Sequence, residues 1–248
     1  MVFENVLDPI FSPLLNLPTL WAVIILSFFI SLIITLIYKY VTDQNLMKRL
    51  KEEMKEFQKQ IKELKKEPEK AMQVQKQSMK TNMKYMTLSM KSTLYSFIPI
   101  ILIFGWMSAN FAYDPILPGQ EFTTTVTFKE GIQGKVELSI PPGITINGQA
   151  KKDIVDNEAK WLLSGERGEY LLEYIFNGKK HGKELLIAEK QYKTPIKNIR
   201  DESVKSIQIG HNKKILLNLF GWKMGWLATY IVFSIFFSII VRKIIKVY

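Results

Sequence analysis

The chain has 248 residues, a hydrophobic fraction of 47% and a formal net charge of +11 at pH 7. It contains no cysteine, which excludes disulfide bonds, thiol catalysis and cysteine-ligated metal sites. A basic excess of this size suits nucleic acid, the ribosome surface or an anionic membrane face. The distribution of the charges along the chain therefore has to distinguish these partners.

Three windows of the sequence are long and apolar enough to cross a bilayer. Residues 19–38 and 93–113 carry no charged side chain, and a third window, assigned to residues 223–241, is uncharged from Met224 to Val241. At about 1.5 Å per residue, twenty helical residues reach about 30 Å, the thickness of a hydrocarbon core. The sequence therefore predicts an α-helical integral membrane protein with three transmembrane helices.

The basic residues predict how these helices are oriented. Residues 1–18 contain no Lys or Arg, residues 39–92 contain fourteen against seven Asp and Glu, and the basic tail at 242–248 adds three. The positive-inside rule then places the N-terminus outside, as an interfacial segment, and residues 39–92 and the C-terminus in the cytosol. Residues 114–222 lie outside. We expect a multi-pass protein of the cell membrane.

The cytosolic segment has the pattern of a helical hairpin. Its first half carries apolar residues three and four positions apart, as in a heptad seam: Met47, Leu50, Met54, Phe57, Ile61 and Leu64. Pro68 breaks this helix, and a second helix then returns to the membrane. We expect an antiparallel coiled coil in which each helix is continuous with a membrane span.

Five of the ten methionines lie in the returning helix: Met72, Met79, Met83, Met86 and Met90. One interpretation is that they pack in the seam of the hairpin. The other is that they form a surface that captures apolar segments, because the flexible thioether adapts to many partners. Lysines lie between them and no acidic residue does, so such a surface suits anionic lipid or ribosomal RNA nearby.

Hydroxyl side chains recur inside the spans, mostly at a shared depth near the cytosolic end: Ser27, Ser31, Thr35, Ser96, Ser234 and Ser238. They predict a polar groove that opens to the cytosol. Alternatively, each hydroxyl bonds to its own helix or allows close helix packing. Cations mark the predicted cytosolic mouth: Lys39, Lys91, Arg242 and Lys243. No charged residue lies within the stretches 19–38, 93–113 and 224–241, which argues against a proton relay or an ion-coupled transporter.

Residues 114–222 alternate short apolar runs with Gly- and Pro-rich turns, which predicts a small β-rich outer domain of about five to seven strands. Its two histidines, His181 and His211, are far apart in sequence and are expected in exposed loops. The segment has no catalytic triad, phosphate-binding loop or paired-carboxylate motif. We therefore expect no enzyme activity, no metal and no cofactor.

The order of these segments resembles the YidC/Oxa/Alb superfamily of membrane-protein insertases, and specifically its archaeal YidC-like members. The resemblance rests on the order and topology of the spans and of the hairpin at about 43–92. It implies a groove that takes up a substrate's transmembrane segment with its polar flank, and a hairpin that contacts the ribosome or the arriving chain. Bacterial relatives have five core spans and a groove arginine, whereas this chain has three spans and cations only at the mouth.

The first hypothesis is therefore an insertase or membrane chaperone whose partners are nascent membrane proteins, the ribosome, the lipid bilayer and a partner subunit that the sequence does not identify. The alternative is a membrane-anchored receptor or scaffold whose outer β domain binds a ligand or an envelope partner. The two differ in which region is essential. An insertase depends on the hairpin and the groove, and a receptor depends on the surface of the outer domain.

Overall fold

The computed structural model describes residues 4–247. Residues 1–3 of the predicted interfacial segment and residue 248 of the predicted tail lie outside the described residues. The chain divides into two compact units. The helical unit comprises residues 4–106 and 216–247, and the β domain comprises residues 107–215.

Five α-helices account for most of the helical unit: α1 (Glu4–Phe11), α2 (Thr19–Val41), α3 (Gln44–Glu63), α4 (Pro68–Phe111) and α5 (Trp226–Ile245). Two 3-10 helices, Ser12–Asn16 and Leu64–Lys66, connect them. By length and apolar composition, α2, α4 and α5 are able to cross a membrane. The three predicted spans are therefore present as helices.

The helix of the first span does not continue into the hairpin. Helix α2 ends at Val41, where the Thr42 hydroxyl donates to the Tyr38 carbonyl oxygen. The Asp43 carboxylate then accepts from the backbone N–H groups of Asn45 and Leu46, each at 3.0 Å, and caps the start of α3. The predicted continuity between span 1 and the hairpin is wrong because this cap starts a new helix. By contrast, α4 runs from Pro68 through Pro99 as one helix.

The seam of the hairpin is only partly the predicted one. On α3, Met47 and Leu50 are buried and the later heptad positions are half-buried, as predicted. On α4, the half-buried positions are also three and four residues apart but are not methionines: Ala71, Val74, Ser78, Thr81 and Tyr85. The Thr81 hydroxyl donates to the Glu53 carboxylate of α3 at 3.4 Å, so this face of α4 is directed toward α3.

The β domain contains nine strands: β1 (Phe122–Phe128), β2 (Lys135–Ser139), β3 (Ile144–Asn147), β4 (Lys151–Asp153), β5 (Glu158–Gly165), β6 (Gly168–Phe176), β7 (Lys179–Ile187), β8 (Ile196–Asn198) and β9 (Val204–Ile209). They form two antiparallel sheets, with the orders β3-β5-β1-β9-β8 and β4-β2-β6-β7. The two sheets share one apolar core, in which Trp161 contacts Tyr174 and Phe128 contacts Phe176. More strands form than predicted because three of them have only three or four residues, too few for a clear periodicity.

Strands β10 (Leu217–Leu219) and β11 (Trp222–Met224) form a separate two-stranded sheet just before α5. The backbone N–H of Leu216 donates to the Met224 carbonyl oxygen, so Met224 pairs in a strand. Helix α5 therefore begins at Trp226, after Gly225 at its N-cap position. The predicted start of the third span at 223 or 224, and the predicted end of the β region at 222, are wrong by these few residues.

Candidate functional site

Helices α2 and α5 pack against each other through hydroxyl and aromatic side chains. The Ser31 hydroxyl of α2 donates to the Ser234 carbonyl oxygen of α5 at 3.2 Å. One turn away, the rings of Phe28 and Phe237 meet edge to face with centroids 5.5 Å apart. Small hydroxyl residues let membrane helices approach closely, which explains why this contact forms at the serines.

A cavity of about 440 Å³ lies beside this contact, and we call it the α2–α5 cavity. Its walls combine three serines, one tyrosine and one arginine with aliphatic side chains: Ser31, Ile34, Tyr230, Ser234, Ile235, Ser238, Ile239 and Arg242. Three of the six hydroxyl residues singled out in the sequence thus line one space.

A second cavity of about 320 Å³, the α2–α4 cavity, lies on the other side of Ile34. Its walls are formed by Ile34, Tyr38, Tyr85, Ser89, Ser92, Thr93, Ser96, Phe97, Ile100 and Arg242. Five hydroxyl residues among them were not predicted as groove residues: Tyr38, Tyr85, Ser89, Ser92 and Thr93. Ser89, Ser92 and Ser96 are three and four residues apart. This spacing puts them on one face of α4 and could have identified them. The predicted boundary between the hairpin and the span, at residues 92 and 93, separates Ser96 from the other two.

Arg242 is the one charged residue that lines either cavity within the described part of the chain, and it lines both. Its guanidinium lies over the Tyr38 ring, 5.4 Å from the centroid, which is within cation–π range. The side chains of Tyr85 and Ser89 lie beside Tyr38, and all three line the α2–α4 cavity. One cation therefore sits where α2, α4 and α5 come together.

The other predicted mouth cations do not line these cavities. The Lys39 ammonium donates to the Ile245 carbonyl oxygen near the end of α5, at 3.5 Å. Lys91 and Lys243 are exposed. They lie near the same ends of the helices as Arg242, where they add positive charge around the cavities.

Several hydroxyls bond within their own helices. Ser27 donates to Val23, Thr35 to Ser31 and Ser96 to Ser92, each to the carbonyl oxygen four residues earlier and at 2.7 to 2.8 Å. Ser27 and Thr35 are buried and belong to neither cavity. The Ser234 hydroxyl also donates within its helix, to the Ile231 carbonyl oxygen at 3.0 Å, and the Ser31 hydroxyl donates across to Ser234. Because Ser31, Ser234 and Ser238 line the α2–α5 cavity, they are the better candidates for contact with a substrate, and the oxygens of Ser31 and Ser234 can still accept a hydrogen bond.

The five methionines of α4 form one exposed stripe, with 55 to 66% of each residue accessible: Met72, Met79, Met83, Met86 and Met90. At 3.6 residues per turn, this methionine stripe lies about 130° around α4 from the half-buried seam. The interpretation that the methionines pack against α3 is therefore wrong. The stripe continues into the membrane-spanning part of α4 through exposed Leu94, Phe97 and Ile101. Phe97 also lines the α2–α4 cavity, so the stripe reaches that cavity.

The β domain has a cleft of its own, of about 530 Å³. Three segments of the chain form its walls: residues 118–119, 143–145 and 164–167. The lining residues are Pro118, Gly119, Gly143, Ile144, Thr145, Ser164, Gly165, Glu166 and Arg167. Among the described residues, no group of three His, Asp or Glu side chains is arranged to hold a metal ion. His181 and His211 are half-buried, so their expected exposure is wrong, and the expected loop position holds only for His211, which follows β9. His181 lies in β7, and the His211 Nδ1 is 3.0 Å from the Asp114 carbonyl oxygen.

One comparison with known proteins found a relationship. The family described as "Integral membrane protein EMC3/TMCO1-like" matches residues 4–145, which include α2, the hairpin, α4 and the first β strands. No curated protein and no solved structure matches the chain. The matched region covers more than half of the sequence and two of the three helices that form the cavities. The chain therefore belongs to the EMC3/TMCO1-like family of integral membrane proteins, within the YidC/Oxa1/Alb3 insertase superfamily.

Proposed function

We propose that this protein is a membrane-protein insertase and chaperone. It receives a nascent transmembrane segment on the methionine stripe and passes it to the bilayer beside the two cavities. The family supports a role in membrane-protein insertion at the general level. The proposal carries no covalent chemistry, so the protein acts as a binding and transfer device rather than an enzyme.

The observation that carries the proposal is the continuity of the methionine stripe with the membrane-spanning part of α4. From Met72 to Ile101, one side of the helix carries the five methionines and then Leu94, Phe97 and Ile101, all exposed. In the membrane-spanning part, Tyr95 and Ile98 are exposed on other faces. The stripe is about 43 Å long at 1.5 Å per residue, longer than the hydrocarbon core is thick. A bound apolar segment therefore has a continuous apolar path from water to lipid. Thioethers suit it because they adapt to substrates of different sequence.

In this proposal the two cavities bind the polar flank of the substrate. Carrying a polar group through hydrocarbon costs several kcal/mol when it has no hydrogen-bond partner. The serine hydroxyls and Arg242 offer partners part of the way across, and an acidic flank gains an ionic contact with the guanidinium. The apolar segment gains about 0.8 kcal/mol for each CH₂ that leaves water, which drives the transfer without a nucleotide.

The proposed orientation keeps the hairpin, Arg242 and the C-terminal tail in the cytosol and the β domain outside. The contacts of Tyr38 with Tyr85 and Arg242 place the base of the hairpin and the basic end of α5 on the same side. A stripe flanked by lysines then faces the ribosome exit and anionic lipid headgroups. The remaining proposed partner is a subunit that completes the space around the cavities.

Site-specific photo-crosslinking tests the proposal. Probes are placed at Met83 on the stripe, at Ser238 in the α2–α5 cavity, and at two control positions. Gln77 is exposed on a different face of α4, and Leu171 is exposed in the β domain. The bait is a stalled ribosome that displays a short transmembrane segment with a brief N-terminal flank. Membranes that contain the protein are incubated with this complex before irradiation.

Adducts at Met83 and Ser238, with few at Gln77 and Leu171, are the expected result. An earlier adduct at Met83 than at Ser238 in a time course would order the two steps. Equal labelling at all four positions would indicate non-specific stickiness. The absence of adducts at Met83 and Ser238, in a protein that is intact in the membrane, would refute the insertase proposal.

The cleft of the β domain keeps the receptor alternative open. Its backbone carbonyls, Glu166 and Arg167 offer a ligand several polar contacts. A receptor would lose its activity when Arg167 is replaced by Glu and would tolerate Met83→Glu. We expect the reverse pattern.

A further inference from the structure

The strands β10 and β11 form a small hairpin of their own just before α5. Its two strands pair only with each other and join neither sheet of the β domain. An isolated two-stranded sheet is marginally stable in water, because it has no second layer to cover its apolar face. The hairpin is therefore stabilised if a further surface covers the exposed part of that face.

The two faces of this hairpin differ in polarity. Cross-strand partners lie on the same face, so the pairs Leu217–Met224 and Leu219–Trp222 form an apolar face, and Asn218–Lys223 lies on the opposite face. Met224, nearest α5, is buried, whereas Leu219 and Trp222 toward the tip are 46% and 68% exposed. The apolar face is thus covered at its base and bare toward its tip.

The turn at the tip carries an unusual residue. Phe220 and Gly221 have φ angles of 52° and 88°, the positive values that a type I′ turn requires. Asn or Gly normally occupies the first of these positions, because a bulky side chain disfavours a left-handed backbone. Here the position holds a phenylalanine whose ring is fully exposed. A left-handed backbone that keeps an aromatic ring exposed is a feature that clusters at functional sites.

The position of the hairpin in the chain identifies its partner. Met224 is followed by Gly225, the N-cap residue of α5, and Trp226 then begins the membrane-spanning helix. The hairpin therefore starts at the bilayer surface. Its three-residue strands reach about 10 Å, which is comparable with the interfacial layer of about 5 to 7 Å on each side of the hydrocarbon core.

We infer that the β10–β11 hairpin docks on the lipid bilayer at the surface where α5 begins. Phe220, Leu219 and Trp222 enter the interfacial layer, and Lys223 on the polar face remains among the headgroups. Indole rings prefer this layer, and a lysine beside it is attracted by anionic lipid. The anchored hairpin sets the depth and tilt of α5, the helix that carries Arg242. This inference does not depend on the insertase proposal.

The absence of cysteine makes a depth measurement direct, because one introduced thiol is the only site for a fluorophore. The full-length Phe220→Cys variant is labelled with an environment-sensitive dye and reconstituted into vesicles of neutral and anionic phospholipid. A fraction of the lipid carries a nitroxide quencher high on its acyl chain. Asn218→Cys, on the polar face of the same hairpin, carries the same dye as the matched control.

The dye at position 220 should show blue-shifted emission and at least threefold stronger quenching than the dye at position 218. Water-like emission at both positions would overturn the inference. Blue-shifted emission at 220 without quenching would also overturn it, because another copy of the protein rather than lipid would then cover the tip.

A second variant controls for attraction of the dye itself to the membrane. The dye is attached at Leu219→Cys, with and without Phe220→Asn. Asparagine tolerates the positive φ angle, so the turn is preserved while the aromatic anchor is removed. Quenching at position 219 should fall at least twofold. Unchanged quenching would show that Phe220 anchors nothing.

Discussion

Arg242 combines three features in one side chain. It lines both cavities, it stacks on Tyr38, and it ends the uncharged part of α5. The sequence placed it among four mouth cations with nothing to distinguish it from its neighbours. The helix packing distinguishes it, because the long arginine side chain reaches back to Tyr38 one helix away. Its role in recognising an acidic flank gives the first prediction.

Replacing Arg242 by Gln should lower the insertion of a substrate with an acidic flank about tenfold, which corresponds to about 1.4 kcal/mol. A substrate with a neutral flank should lose less than twofold. Arg242→Lys keeps the charge but not the planar stacking on Tyr38, so an intermediate loss is expected. Protease protection of the inserted substrate in proteoliposomes measures these rates. Equal losses for both substrates would assign Arg242 a structural role only.

His211 supplies a pH dependence to the β domain. Burial lowers the pKa of His211, and the positive charge of Lys183 lowers it further, while the Asp114 carbonyl oxygen raises it. The unfolded state therefore takes up a proton first as the pH falls. Stability should be complete above the unfolded pKa of about 6.5 and should fall as the pH drops from there toward the lower native pKa.

The variant His211→Gln retains a side-chain donor but does not titrate, so its stability should change less between pH 7 and pH 5. Hydrogen exchange of strands β5 and β6 in the full-length protein provides the measurement. Asp201 does not contribute in this range. The Ser203 backbone N–H and Lys179 hold the pKa of its carboxyl at about 2, so it stays ionised. An identical pH dependence in wild type and variant would refute the assignment to His211.

At the scale of elements, the two faces of α4 should respond differently to substitution. Met83→Glu changes an exposed position and should alter hairpin stability by less than about 0.5 kcal/mol. It should nevertheless greatly reduce crosslinking of a substrate to a probe at Met79, because a carboxylate interrupts the apolar surface of the stripe. Met83→Leu is the control of similar volume and should retain capture.

Leu50→Ala on α3 should show the opposite behaviour. Leu50 is buried, and removing a buried leucine side chain usually costs about 2 to 5 kcal/mol. Hydrogen exchange along α3 should therefore accelerate. Crosslinking of the substrate to a probe at Met79 should fall only in proportion to the loss of hairpin stability. Loss of stability in Met83→Glu comparable with that in Leu50→Ala would contradict the exposed position of the stripe.

The hairpin shows where sequence reasoning succeeds and where it stops. On α3 the seam consists of large apolar residues against charged neighbours, so its period is visible and the buried Met47 and Leu50 were predicted. On α4 the half-buried positions are Ala71, Val74, Ser78 and Thr81, which are less apolar than the methionines beside them. Hydrophobic periodicity therefore identified the wrong face. An exposed apolar stripe contradicts the rule that such residues pack inward.

The cavities show the same limit. The period of the hydroxyls located Ser31, Ser234 and Ser238, because residues four apart share a helix face. It gave no information on which helices touch. The contact between Ser31 and Ser234 depends on the packing of α2 against α5, 203 residues apart in the chain. For the same reason Ser27 and Thr35 matched the pattern and yet belong to neither cavity.

At the scale of the whole molecule, the β domain is an insertion with its own core and adjacent ends. Its core residues all lie between Ile116 and Ile209. Where the chain enters and leaves, Tyr113 and Lys213 form an antiparallel bridge, and the backbone N–H of Asp114 donates to the Asn212 carbonyl oxygen at 2.9 Å. Adjacent ends allow a domain to be removed without pulling apart the segments that flank it.

Replacing residues 114–212 by a short Gly-Ser linker should therefore leave insertion by the helical unit within about twofold of wild type, because α2, α4 and α5 keep every residue of both cavities. The excision removes two hydrogen bonds at the C-terminal end of α4. In the intact protein the Tyr192 hydroxyl donates to the Ser108 carbonyl oxygen and accepts from the Ala112 backbone N–H. The same excision combined with Met83→Glu should lose insertion, which ties the residual activity to the stripe. If the excised protein retains its helices in proteoliposomes but inserts nothing, the β domain is essential and the receptor alternative gains the stronger support.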